Sequence, residues 1–173
     1  MAESMLRRAL EVRGVPAQVH SAGLSFDGRP ATGGSLKAMA GRGFDLAEHR
    51  SRVMTADMIR SADLVVAMAR AHVREAAVLA PERFNWTFTL KELVRRGAAA
   101  GPRGQEPLDQ WLDRLALGRD AVALLGDSAD DDVGDPIGQS QKVYDATAAE
   151  LDLLVRRMAD LVWGPARRVE ATA

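Results

Sequence analysis

Apolar positions at the start of the chain recur with helical spacing. Met1, Met5, Leu6, Ala9 and Leu10 fall on one face, with Glu3, Arg7, Arg8 and Glu11 opposite. Gly14 stands where a glycine ends such a helix. Ala17–Ala22 (AQVHSA) predicts a short strand closed by Gly23, and Phe26–Gly34 (FDGRPATGG) is rich in turn formers. From Ser35 the periodicity returns, with Leu36, Met39 and Ala40 on one face, and ends near Gly43. Thr55 is placed to cap TADMIRSA. Asp63–Met68 (DLVVAM) is continuous, apolar and β-branched, as parallel strands buried on both faces are. A helix over about Ala71–Leu79 stops before Pro81, and Trp86–Thr89 (WTFT) is again extended. Thr89 and Glu92 form a capping-box pattern opening LKELVRRG.

The Gly97–Pro107 stretch is rich in Gly, Ala and Pro and reads as a surface connection, followed by a short helix around LDQWLDRLAL. Gly126–Gly138 (GDSADDDVGDPIG) is a long acidic loop. The last helix is expected from about Val143 to Trp163, with Leu151, Leu154, Val155, Met158, Leu161 and Val162 as its buried stripe. Strands alternating with helices define an α/β class, a three-layer arrangement with helices on both faces of a parallel sheet. There is no internal repeat and no domain boundary: residues 1–163 are expected to form one domain, with 164–173 as a C-terminal tail. Such a pattern normally starts with a strand, whereas this chain starts with a helix that no Ser, Thr, Asp or Asn caps.

Composition narrows the function classes. The chain has 173 residues, 47% of them hydrophobic, which suits a single domain with an ample core. Its 23 basic and 24 acidic residues nearly cancel, which argues against a nucleic-acid partner or a polybasic membrane surface. Lysine occurs only at Lys37, Lys91 and Lys142, so the positive charge is nearly all arginine, scattered along the chain. The longest apolar run, around Leu64–Ala69, is far too short to span a bilayer, and the first residues lack the apolar centre of a signal peptide. A cytoplasmic location is the default expectation. Cysteine is absent, which excludes disulfides, Cys-bearing zinc sites and any thiol nucleophile within these residues.

Six segments together carry a family resemblance. MAESMLRRAL, VHSAG, GFDLAEHRSRVMT, ADLVVAMARAH, FTLKEL and DDVGDPIG resemble the low-molecular-weight protein tyrosine phosphatases, in the same order and at similar spacing. The resemblance runs from Met1 to about Trp163. In that family a first, central strand leads into a phosphate loop, a Cys followed after five residues by Arg, and the first helix begins straight after it. Met1-Ala2-Glu3 resembles that continuation, so the strand, the Cys and the loop are missing from these residues. The expectation is that Met1 is an internal methionine or that the chain is truncated. The alternative is a non-catalytic pseudophosphatase acting as a binding or regulatory module.

The family reaction hydrolyses a phosphate monoester through a cysteinyl-phosphate. It needs a low-pKa thiolate, a ring of backbone N–H groups with an arginine, and a general acid. The resemblance leaves only the last, assigning it to Asp135 in Gly134-Asp135-Pro136; an Asp-Pro pair by itself is equally a turn initiator. As written, the chain is expected to be inactive. The resemblance implies a phosphorylated protein or a small phosphomonoester as substrate and no cofactor. The unpaired edges of a sheet lacking its central strand are expected to favour self-association.

The remaining polar residues point elsewhere. Asp127, Asp130, Asp131 and Asp132 lack the spacing and closing Glu of an EF-hand, so a solvated acidic loop without metal is expected. His20 is expected on a strand, and His49 and His72 at surface or helix-terminal positions, none of them a metal ligand. Family members acting on phosphotyrosine often carry aromatic residues just after the Asp-Pro pair, where this chain has Ile137 and Gly138. A substrate other than phosphotyrosine is therefore open. Tyr144 is expected to pack at a helix start.

Overall fold

The computed structural model describes residues 1–166; the expected tail lies mostly outside the described residues. Helix α1 covers Ala2–Arg13 and ends at Gly14, whose φ of 66° is the left-handed conformation that a glycine adopts without steric cost. Helix α2 (Gly33–Ala40) is capped by Thr32, and α3 (Ala56–Ser61) by Thr55, whose side chain accepts from Met58 N. Strand β1 (Val65–Ala67) leads into α4 (Arg70–Leu79). A 3-10 turn over Pro81–Trp86 then returns the chain to β2 (Thr87–Thr89). Helices α5 (Leu90–Ala100), α6 (Leu108–Ala116) and α7 (Gln141–Trp163) complete the domain.

Strands β1 and β2 are parallel, with Val65, Val66 and Ala67 opposite Thr87, Phe88 and Thr89. A parallel pair requires a crossover, and α4 supplies it. The two-residue period of the strand decides what each face meets. Leu64, Val66, Met68 and Phe88 pack into the main core, with Met5, Met39, Leu93, Trp111, Leu151 and Met158. Val65 joins Ile59, Ala76 and Ala80, while Ala67 joins Val73, Phe84 and Leu124. Helices therefore cover both faces, and an apolar run without polar alternation is what β1 required.

Ala17–Ala22 does not form the expected strand. A strand needs a ladder partner, and among the described residues none lies beside this segment. Its only neighbouring pairing is a parallel bridge between Gly23 and Val53, made by Gly23 N to Arg52 O and Met54 N to Gly23 O, both 2.8 Å. Arg7 Nη2 also donates to Val19 O (3.0 Å), tying the segment to α1. His20 is accordingly an exposed residue of an irregular segment rather than a strand residue.

The capping-box pattern at α5 is half fulfilled. Thr89 Oγ1 accepts from Glu92 N (3.1 Å), but the Glu92 carboxylate turns inward instead of back to the helix start. It receives Arg119 Nε and Arg96 Nε, each 2.9 Å from Oε1. Tyr144 packs at the start of α7 as expected, its hydroxyl 3.3 Å from Thr32 Oγ1 and its ring against Gly34. A methyl group at Gly34 would come within 2.4 Å of that ring, so only glycine permits this approach of α2 to α7.

Candidate active site

The loop bearing Asp135 is fixed at its root. Val133 is buried and its N–H donates to Met68 O (2.8 Å), continuing from the end of β1. Pro136 is buried, while Asp135 is exposed between these two anchors. Asp135 Oδ1 accepts from Ile137 N (3.0 Å), an Asx turn that orients the carboxylate without burying it. Pro136 O in turn accepts from Gln139 N (2.9 Å). The loop thus presents one solvent-facing carboxyl group on a short, braced turn. Ile137 is 65% exposed beside it and offers an aliphatic side chain.

The acidic stretch before this turn is solvated only in part: Asp127 and Asp130 are exposed, as expected, and Asp132 is half-buried. Asp131 is 2% exposed, which overturns the expectation for that residue. Arg70 holds its Oδ2, with Nε at 2.8 Å and Nη2 at 2.7 Å, and Arg95 Nη1 lies 2.7 Å from Oδ1 as an ion pair without hydrogen-bond alignment. Asp132 accepts from Arg70 N (2.7 Å) and Ser128 N (2.9 Å). Its carboxylate therefore caps α4, which has no cap from its own N-terminal residue, Ala69. Sequence spacing could not reveal this, because the capping residue lies 62 positions away. The signal that was present is Ala69, a residue with no capping group, ahead of a strong helix.

Burial raises the Asp131 carboxyl, but the Arg70 hydrogen bond and the charges of Arg70 and Arg95 outweigh it and hold the group below its ordinary range. Between the two values the unfolded chain binds the proton that the folded chain does not. The stabilisation is therefore complete above about pH 4 and is lost as pH falls through the depressed folded value. Asp131→Asn is expected to lower the unfolding free energy by about 2–3 kcal/mol at neutral pH, with the difference shrinking in acid. Urea unfolding of both proteins at pH 7 and pH 3 checks this. A difference that stays constant with pH would exclude the ionised carboxylate as its source.

A second polar group sits at the start of α1. Met1 provides no side-chain cap there. Glu3 accepts from the Ser21 hydroxyl and from Arg7 Nη2 (2.6 Å), and His49 Nδ1 lies 3.8 Å from its Oε2. Burial raises the Glu3 carboxyl, while Ser21, Arg7 and the His49 charge lower it by more, leaving it below its ordinary range. Ser21 spends its proton on Glu3, so the trio is a brace between α1 and the two following segments and not a nucleophile–base pair. His72 lies in the first turn of α4, partly buried.

The domain is thus α/β, with a parallel strand pair, a helical crossover and an exposed Asp-Pro turn after a long acidic loop. The chain belongs to the low molecular weight phosphotyrosine protein phosphatase family, whose model matches residues 1–110. It is 36% identical over 94 residues to a probable low molecular weight protein-tyrosine-phosphatase, EpsP, of Ralstonia solanacearum, covering 54% of this chain and 62% of that one. Against a protein-arginine-phosphatase of Bacillus subtilis it is 30% identical over 161 residues, 92% of this chain and 85% of the relative. Among solved structures, a low molecular weight protein tyrosine phosphatase from T. tengcongensis superposes with a TM-score of 0.68 at 26% identity, covering 92% of this chain and 87% of its own. Among the described residues no helix is long and apolar enough to cross a membrane.

Proposed function

We propose that Asp135 is the general acid of a phosphoryl-hydrolysing site, protonating the oxygen or nitrogen that leaves phosphorus. The observation that carries this reading is the braced, solvent-facing carboxylate between the anchored Val133 and the buried Pro136. A proton donor has to reach a substrate from the surface yet hold its position, and the Asx turn supports both requirements. The substrate is a phosphorylated protein side chain or a small phosphomonoester. The relatives are named for tyrosine and arginine phosphatase activity, so the leaving atom would be a tyrosine oxygen or an arginine nitrogen. Ile137 in place of an aromatic residue favours the non-aryl substrate.

The nucleophile is the other half of the reaction, and these 173 residues hold no cysteine. Without a thiol nucleophile the 173 residues would not form a phosphoenzyme by the family route. Purified 173-residue protein should release no more p-nitrophenol from p-nitrophenyl phosphate than a buffer blank. Turnover that Asp135→Ala abolishes would overturn the inactivity, and turnover that survives that change would identify a contaminating enzyme.

A further inference from the structure

On one side of the sheet a groove of about 570 Å³ runs between α5, α7 and the acidic loop. Its size falls within the range of small-ligand sites. From α5 it takes Lys91, Val94, Arg95 and Ala98, spaced so that they share one helix face; from α7 it takes Leu154 and Arg157. Arg70, Asp130 and Asp131 close one end. Four cations thus line it against two carboxylates.

The cations differ in what already occupies them. Arg70 is committed to Asp131, and Lys91 pairs with Glu150 at 2.8 Å. Arg95 also touches Asp131, but its side chain is 53% exposed. Arg157 is exposed and has no carboxylate partner among the described residues. The neighbouring Arg156 is instead paired with Asp152, at 2.8 Å. One unpaired guanidinium on α7, Arg157, and one exposed guanidinium on α5, Arg95, which a ligand would share with Asp131, therefore flank Val94, Ala98 and Leu154. Guanidinium forks bind phosphoryl oxygens in pairs, and an apolar floor favours a ligand with a hydrocarbon body.

We propose that this groove binds a small organic phosphate, its phosphoryl group between Arg95 and Arg157 and its apolar part against Val94, Ala98 and Leu154. Arg95 Nη1 also donates to Asp130 O (3.1 Å), so a ligand that draws on Arg95 reaches the segment leading to Asp135. The site lies outside the Asp135 turn and does not depend on the chain's having a nucleophile.

The test is a titration of the ¹⁵N-labelled 173-residue protein with phenyl phosphate, paired with calorimetry. Amide shifts are expected at Val94, Arg95, Ala98, Leu154 and Asp130–Asp132. Inorganic phosphate should bind at least threefold more weakly. Arg157→Glu should weaken phenyl phosphate at least tenfold. Arg156→Glu, the same change of charge one residue away, should leave binding within twofold. Shifts confined to the start of α1 and the Asp135 turn would overturn the proposal. So would equal losses in the two arginine variants, which would mark a general charge effect, or equal affinity for inorganic phosphate.

Discussion

Arg119→Ala is expected to lower the unfolding free energy by about 3–5 kcal/mol, the cost of stranding one half of a buried ion pair. Arg119 is 2% exposed and Glu92 4%. The guanidinium donates through Nε to Glu92 Oε1 (2.9 Å) and through Nη2 to Oε2 (3.1 Å). It also donates to Phe84 O and Thr87 O, each at 2.7 Å. Its carbon lies 4.5 Å from the Phe84 ring centre and 4.2 Å from that of Phe88. One side chain thus ties the segment after α6 to the 3-10 turn, to β2 and to the start of α5. Alanine would take the guanidinium donor from the Phe84 and Thr87 carbonyls, leaving Phe84 O with Thr87 N, and would leave Glu92 with Arg96 alone. Lysine cannot repair this, because an ammonium cannot span four acceptors in one plane.

The control is the double variant Arg119→Met with Glu92→Leu, which removes both charges and keeps most of the volume. It should be more stable than the sum of the two single changes by about 1–3 kcal/mol. Urea midpoints at constant slope measure both quantities. Thermal midpoints should move in parallel, by roughly 6–20 °C for Arg119→Ala. A loss below about 1 kcal/mol would mean that water or a neighbouring donor replaces the guanidinium.

The second large effect is a gain of activity. Joining to Met1 the strand and Cys-x5-Arg loop that the family resemblance implies is expected to produce aryl phosphatase turnover, where the 173-residue chain is expected to show none. It should also raise the thermal midpoint. Strand β1 pairs with β2 on one edge, and among the described residues nothing pairs with its other edge. A strand of about five residues would add roughly eight backbone hydrogen bonds at about 1 kcal/mol each, before the entropy of ordering it is subtracted. The loop would bring the thiolate and the phosphate-binding N–H groups to the uncapped start of α1. In this fusion Asp135→Ala should reduce turnover by about 10²–10⁴-fold, the usual contribution of a general acid. A fusion that binds phosphate yet turns over equally well with Asp135→Ala would remove that residue from the reaction. A fusion with an unchanged melting temperature would show that the edge of β1 does not accept the strand.

Much of the fold is legible in the residues because the forces that set it are local. Thr55, Thr89 and Gly14 act at the helix ends where their chemistry places them, since a cap needs only the next three residues. The apolar run at Leu64–Met68 holds the parallel strand Val65–Ala67, Ala67 buried and its neighbours half-buried, because both its faces meet helices. The helical stripe from Leu151 to Val162 lies against the core. The Asp-Pro turn is likewise readable, as is the lack of cysteine.

What the tertiary structure alone decided are interactions between segments far apart in the chain. AQVHSA has the composition of a strand, but a strand exists only as part of a ladder, and the partner is not specified within six residues. Glu92 carries the signature of a reciprocal cap, yet Arg119, 27 positions on, draws its carboxylate inward. The acidity of DSADDD suggests solvation, yet Arg70 and Arg95 make it possible to bury Asp131, and Asp132 caps a helix more than 60 residues earlier in the chain. Hydrophobic periodicity records which side of an element is dry. It carries no record of which charge from elsewhere will arrive to neutralise a buried one, because that energy depends on a distance that only the folded chain fixes.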